Sequence, residues 1–95
     1  MAREKSLQNF LDGEGRLLRF PAKRAMQQAA LTYLAGKFQP GTAYTERQVN
    51  ELLGQWHTFR DPATLRRELY DRHFLDRDPY GTAYQLSESP PEQEE

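Results

Sequence analysis

The stretch "DPATLRRELYDRHFLDRDPYGTAYQL", residues 61–86, constrains this chain more than any other segment, because it reads as a short capped helix running directly into a tight hairpin. Asp61 offers an N-cap and Pro62 a proline at the first helical position, where its missing N–H is not needed. Leu65 and Leu69, one turn apart, give the helix a buried stripe. Phe74 and Leu75 follow at once, then Asp78-Pro79-Tyr80-Gly81 as a turn and "TAYQL" as a return strand with Tyr84 and Leu86 on one face. Such a pair either reads a groove or completes a small core.

Upstream, Asp12-Gly13 and Gly15 mark a turn, after which "RLLRF" has the pattern of a short strand with Leu18 and Phe20 on one side. Pro21 fits the first turn of a helix whose apolar arc is Ala22, Met26, Ala29, Ala30, Tyr33 and Leu34. Leu31 and Phe38 lie off that arc and imply a second apolar contact, with the N-terminal segments or with another protomer. Pro40-Gly41 ends the helix, and Thr45-Glu46-Arg47-Gln48 has the spacing of a capping box. Val49, Leu52, Leu53 and Trp56 then repeat at i, i+3, i+4 and i+7, so Trp56 is expected to close the core. The predicted elements are helices near 21–38, 46–57 and 62–72, a brief strand near Ala43-Tyr44, and a hairpin near 74–86. That order is the winged helix-turn-helix plan, a mostly helical α+β fold of three main helices with a C-terminal hairpin as the wing.

A chain of 95 residues supports one small domain with a thin core. Residues 10–86 are expected to form it, with 1–9 as a flexible N-terminus and 87–95, rich in Glu, Ser and Pro, as a disordered acidic tail. The net charge of −1 hides an asymmetry, because residues 1–86 carry 13 bases against 10 acids. The absence of cysteine, of a signal-peptide pattern and of any long apolar run suits a soluble cytoplasmic protein with no membrane contact.

The blocks "GRLLRFPAKR", "YTERQVNELL", "LRRELYDRHFLDRD" and "GTAY", in that order, resemble a bacterial family of domains of unknown function grouped with transcriptional regulators. The resemblance spans nearly everything except the tail, and "YTERQVN" and "LRREL" carry most of it. It implies a winged helix in a regulatory setting. Similar segments often follow a separate DNA-binding domain in longer chains, where such a module would sense or dimerise. His73 stands where similar sequences place a glycine after the helix, which predicts an irregular helix end.

With Leu65 and Leu69 inward, a helical wheel puts Ala63, Thr64, Arg67, Tyr70 and Asp71 outward and Arg66 on the flank. Thr64, Arg66, Arg67 and Tyr70 are therefore the candidates to reach a nucleic-acid groove, since a guanidinium can fork onto a guanine edge or clamp a phosphate. Arg77 on the wing and Arg60, ahead of the helix N-terminus, complete the set. The plainer account makes these ordinary surface charges, with Arg67 paired to Asp71 four residues on and Asp76 and Asp78 beside Arg77. Lys23 and Arg24 form a second basic cluster at a helix start, where they oppose the helix dipole, although simple solvation accounts for them.

Nothing points to an enzyme, a metal or a cofactor. His57 and His73 sit at two different helix ends with no third ligand at a metal spacing, and no phosphate-binding glycine loop is present. Two readings follow. One is a transcriptional regulator binding double-stranded DNA through the third helix and wing, and the other a protein-interaction or homodimerisation module using the Leu31 and Phe38 side.

Overall fold

The computed structural model describes residues 7–80 and 82–87. The expected acidic tail from residue 88 and the first six residues of the expected N-terminal segment lie outside them. The element order is α1 (Arg24–Ala35), α2 (Glu46–Gly54), α3 (Pro62–Asp71), β1 (Leu75–Arg77) and β2 (Tyr84–Leu86), with the strands paired antiparallel as a terminal hairpin. This is a small α+β fold of winged-helix type, as the sequence predicts. Among the described residues no helix is long and apolar enough to cross a membrane.

Ahead of α1 the chain is already packed. Leu7 and Gln8 are helical, and Leu7, Phe10 and Leu11 are partly buried against the core. In the "RLLRF" segment the inward residue is Leu17, fully buried, while Leu18 is 41% exposed, the reverse of the expected face. The reason is a partner that periodicity does not reveal. Leu17 makes single bridges to Leu11 and to His57, its N–H donating to Trp56 O at 2.8 Å and its carbonyl accepting from Thr58 N–H at 2.9 Å. The segment thus braces the turn between α2 and α3. The turn before it needs Gly15 at φ 82°, where an added Cβ would come within 2.8 Å of the Tyr33 hydroxyl that bonds the Gly15 carbonyl.

Helix α1 occupies less of the chain than the expected 21–38. Lys23 is extended, so the helix begins only at Arg24, and its buried seam is Ala30, Leu31, Leu34 and Ala35, continued by Phe38. Leu31 and Phe38 are therefore core residues at 0% and 3% exposure, which removes the dimer or partner surface expected on their side. Polarity at Gln27 disguised the phase. Gln27 lies on that same seam and is satisfied there, its amide donating to Pro21 O at 2.9 Å and accepting from Arg72 Nη2 at 2.7 Å.

Helix α2 starts on a complete capping box: the Gln48 N–H donates to Thr45 Oγ1 at 3.1 Å and the Thr45 N–H to Gln48 Oε1 at 2.9 Å. It ends at Gly54, three residues before the expected end, with Val49 and Leu53 buried. Trp56, beyond the helix, is only half-buried; its ring meets Tyr33 edge-on at 6.5 Å, and the Lys37 ammonium sits 3.9 Å from its centroid. Trp56 borders the core and does not close it.

Helix α3 begins at the predicted cap, with Asp61 accepting from the Thr64 N–H at 3.3 Å and Pro62 in the first turn. Its end is regular, against expectation. His73 takes φ 69°, its N–H donates to Tyr70 O at 3.1 Å, and the Phe74 N–H donates to Leu69 O at 2.8 Å, the two bonds of a Schellman motif. Histidine here does what glycine does elsewhere. The hairpin then runs with Leu75 opposite Leu86 and Arg77 opposite Tyr84. Residues 41–44 and 81–84 both read "GTAY", and their tyrosines pair: the Tyr44 and Tyr84 N–H groups donate to each other's carbonyls at 2.7 Å, a single bridge at the place where a brief strand is predicted near Ala43-Tyr44, while the sheet itself has two strands.

Candidate nucleic-acid interface

Burial of Leu65 and Leu69 fixes how α3 is turned. Ala63, Thr64, Arg67 and Asp71 are exposed and Tyr70 is half-exposed, in the phase the wheel predicts. Arg67 forms no ion pair with Asp71 or with any other carboxylate among the described residues, although its charge acts at longer range on Asp61. Arg60 is exposed just ahead of the N-cap and holds φ 57°, a left-handed conformation that a side chain with a Cβ adopts only at a cost.

Arg66 is placed differently. Only 17% of its side chain is exposed; it donates to Asn50 Oδ1 and lies 3.6 Å from a Glu46 carboxylate oxygen. It straps α3 to α2, and the energy of leaving Glu46 and Asn50 opposes any outward reach. The wing joins the helix through Arg77, whose guanidinium stacks 4.5 Å from the Tyr70 ring centroid. The Tyr84 hydroxyl first, and then Tyr70, push the Arg77 pKa further up. Beside this stack lies an open groove of about 590 Å³ lined by Tyr70, Asp71, His73, Leu75, Asp76 and Arg77. The structure thus brings Arg67, Tyr70 and Arg77 onto one helix and the strand packed against its end. Arg60 and Thr64 stand at the other end of that helix.

The wing loop is held from within. Asp78 accepts from the Thr82 N–H and hydroxyl, both at 2.6 Å, and from the Ala83 N–H at 3.2 Å. Tyr80, at the tip, is 86% exposed.

One residue that orders this region was read from the sequence only as a helix-end histidine. His57 is 4% exposed, with Nδ1 2.6 Å from Leu53 O and Nε2 accepting from the Asp61 N–H at 2.8 Å. That set of partners requires the proton on Nδ1, and it joins the last turn of α2 to the cap of α3. The signal available in the sequence was its spacing, four residues from Leu53 and four from Asp61. The Thr64 hydroxyl first, then the Thr64 N–H, hold the Asp61 carboxyl below its ordinary value.

A family model described as an uncharacterized protein conserved in bacteria matches residues 16–86, which takes in all five elements and the bracing segment at Leu17. No curated protein and no solved structure matches the chain.

Proposed function

The chain belongs to this bacterial family, DUF2087, and from its winged-helix fold we propose that it is a DNA-binding module of transcription regulation, without a catalytic role. The observation that carries the reading is the outward face of α3, where Arg67 is exposed and forms no ion pair among the described residues, and Arg77 is brought alongside by its stack on Tyr70. A helix of ten residues that buries Leu65 and Leu69 in the core and leaves its opposite face exposed, with a hairpin at its end, suits a major groove flanked by phosphates. Arg60, Thr64 and Tyr70 extend the contact set, and Arg66 serves it indirectly by holding α3 at a fixed angle to α2.

The alternative of a protein-interaction module through Leu31 and Phe38 has lost its surface to the core. The test is fluorescence anisotropy of the full chain with a pool of duplex sequences across a salt series. If Arg60, Arg67 and Arg77 each neutralise one phosphate, log affinity falls against log salt with a slope contribution of about −2.7. Arg67→Ala weakens a preferred sequence more than random DNA if it reads a base edge, and both equally if it holds phosphate. No binding to any duplex at low ionic strength overturns the proposal.

A further inference from the structure

Charge is divided along this chain in a way that the face of α3 does not exploit. From Gly15 to Thr45 there are five bases, Arg16, Arg19, Lys23, Arg24 and Lys37, and no Asp or Glu. From Glu46 to Asp78, the stretch that holds α2, α3 and β1, seven acids outweigh six bases. Long-range attraction for a polyanion therefore originates ahead of the helix-turn-helix.

Two of the five bases have work inside the molecule. Arg16 Nε bonds Asp12 at 2.9 Å, and the Lys37 ammonium lies against the Trp56 and Tyr33 rings at 3.9 and 4.4 Å. The other three, Arg19, Lys23 and Arg24, are exposed and form no ion pair among the described residues. Arg19 is kept in place by its stack 4.6 Å from the Phe10 ring centroid.

Lys23 and Arg24 occupy the N-cap and first position of α1, whose first turn has no acid. Positive charge there is opposed by the helix dipole, so helix stability does not account for it. Their position relative to α3 is set by Gln27. One turn into α1, this residue donates to Pro21 O and accepts at 2.7 Å from Arg72, the C-cap of α3. The start of α1 is thereby tied to the end of α3, which is also the end where Arg77 stacks on Tyr70.

We propose that Arg19, Lys23 and Arg24 form a second, sequence-independent surface that grips the phosphate backbone of duplex DNA beside the α3 and wing contact. The inference rests on the DNA-binding reading above and divides its labour: α3 meets the groove, while the start of α1 supplies charge that α2 and α3 lack.

The test compares the full chain with an Arg19→Gln/Lys23→Gln/Arg24→Gln variant and an Arg67→Ala/Arg77→Ala variant, each titrated with a duplex pool across a salt series. For the triple variant the slope of log affinity against log salt becomes shallower by about 2.7, equally for every sequence, because about three fewer phosphates are neutralised. Its melting temperature changes little, since the charges removed from the start of α1 opposed the dipole and the exposed Arg19 loses only its stack on Phe10. A Lys23→Arg/Arg24→Lys swap, which keeps both charges, retains the original slope. Unchanged slope and affinity in the triple variant, with weakened binding in the Arg67/Arg77 variant, overturn this inference and leave the reading of α3 standing. Weakened binding in the triple variant alone upholds the basic surface and removes α3 from the contact. A chain that binds no duplex overturns both.

Discussion

His73 shows how much a single backbone position can hide. Its left-handed conformation closes a Schellman motif in which the Phe74 N–H bonds the Leu69 carbonyl and both side chains are buried, so the fold keeps the geometry that glycine would give and bears the strain of a Cβ. That strain is about 1–2 kcal/mol, and a glycine offsets part of its relief by adding freedom to the unfolded chain. His73→Gly is expected to stabilise the domain by about 0.5–1 kcal/mol in urea unfolding, whereas a loss would assign the imidazole a favourable contact of its own. A second contrast lies in α2 and just beyond it. Leu53 is fully buried and Trp56 half-buried at the margin, although both fall on the one apolar face read from the sequence. Leu53→Ala should cost about 2–5 kcal/mol and Trp56→Ala only about 2, less than a fully enclosed tryptophan would. Equal or reversed losses in the same unfolding measurement would contradict that ranking.

At the scale of elements, legibility followed local chemistry. The starts of α2 and α3 were readable because Thr45, Gln48, Asp61 and Pro62 act through bonds three residues away or less, which a linear sequence displays. The phase of α1 was not. Its seam passes through Gln27, whose polarity is satisfied by Arg72 from 45 residues on, so the expected arc shares Ala30 and Leu34 with the seam but misses Leu31, Ala35 and Phe38. Leu17 was misjudged for the same reason, as its bridge to His57 crosses 40 residues of chain. Of the candidate contact residues, Arg67 and Thr64 stand where the wheel puts them, while Arg66 is drawn inward by Asn50 and Glu46, which no property of α3 alone announces. The α3 cap also carries a pH dependence. Because the folded Asp61 carboxyl is held below its ordinary value of 3.8, first by the Thr64 hydroxyl, its stabilising effect is present above that value and is lost as pH falls through the lower, folded one. Asp61→Asn keeps an acceptor for the Thr64 N–H and removes the titration. In acid unfolding followed by circular dichroism, the difference in stability between the original chain and this variant should shrink below pH 4; a constant difference would remove Asp61 from the account.

For the molecule as a whole, the strands, α3 and the bracing segment at Leu17 converge on one small core, and the charges outside it decide what that core can approach. Four glutamates at positions 88, 92, 94 and 95, with no base among them, bring the formal net charge to −1; without residues 88–95 it would be +3. In sequence they follow directly on β2, whose Leu86 pairs with Leu75 of the strand that carries Arg77. A tethered polyanion competes with phosphate for the same cations by acting as a local counterion. Ending the chain at Ser87 is therefore expected to tighten duplex binding at low salt, and the gain should shrink as salt rises, because screening over about 8 Å at physiological ionic strength weakens both attractions. Anisotropy titrations of the full and shortened chains against one duplex pool measure this directly. A gain that is independent of salt would mean that the final residues obstruct the face by bulk, and no gain would mean that their charge never reaches it.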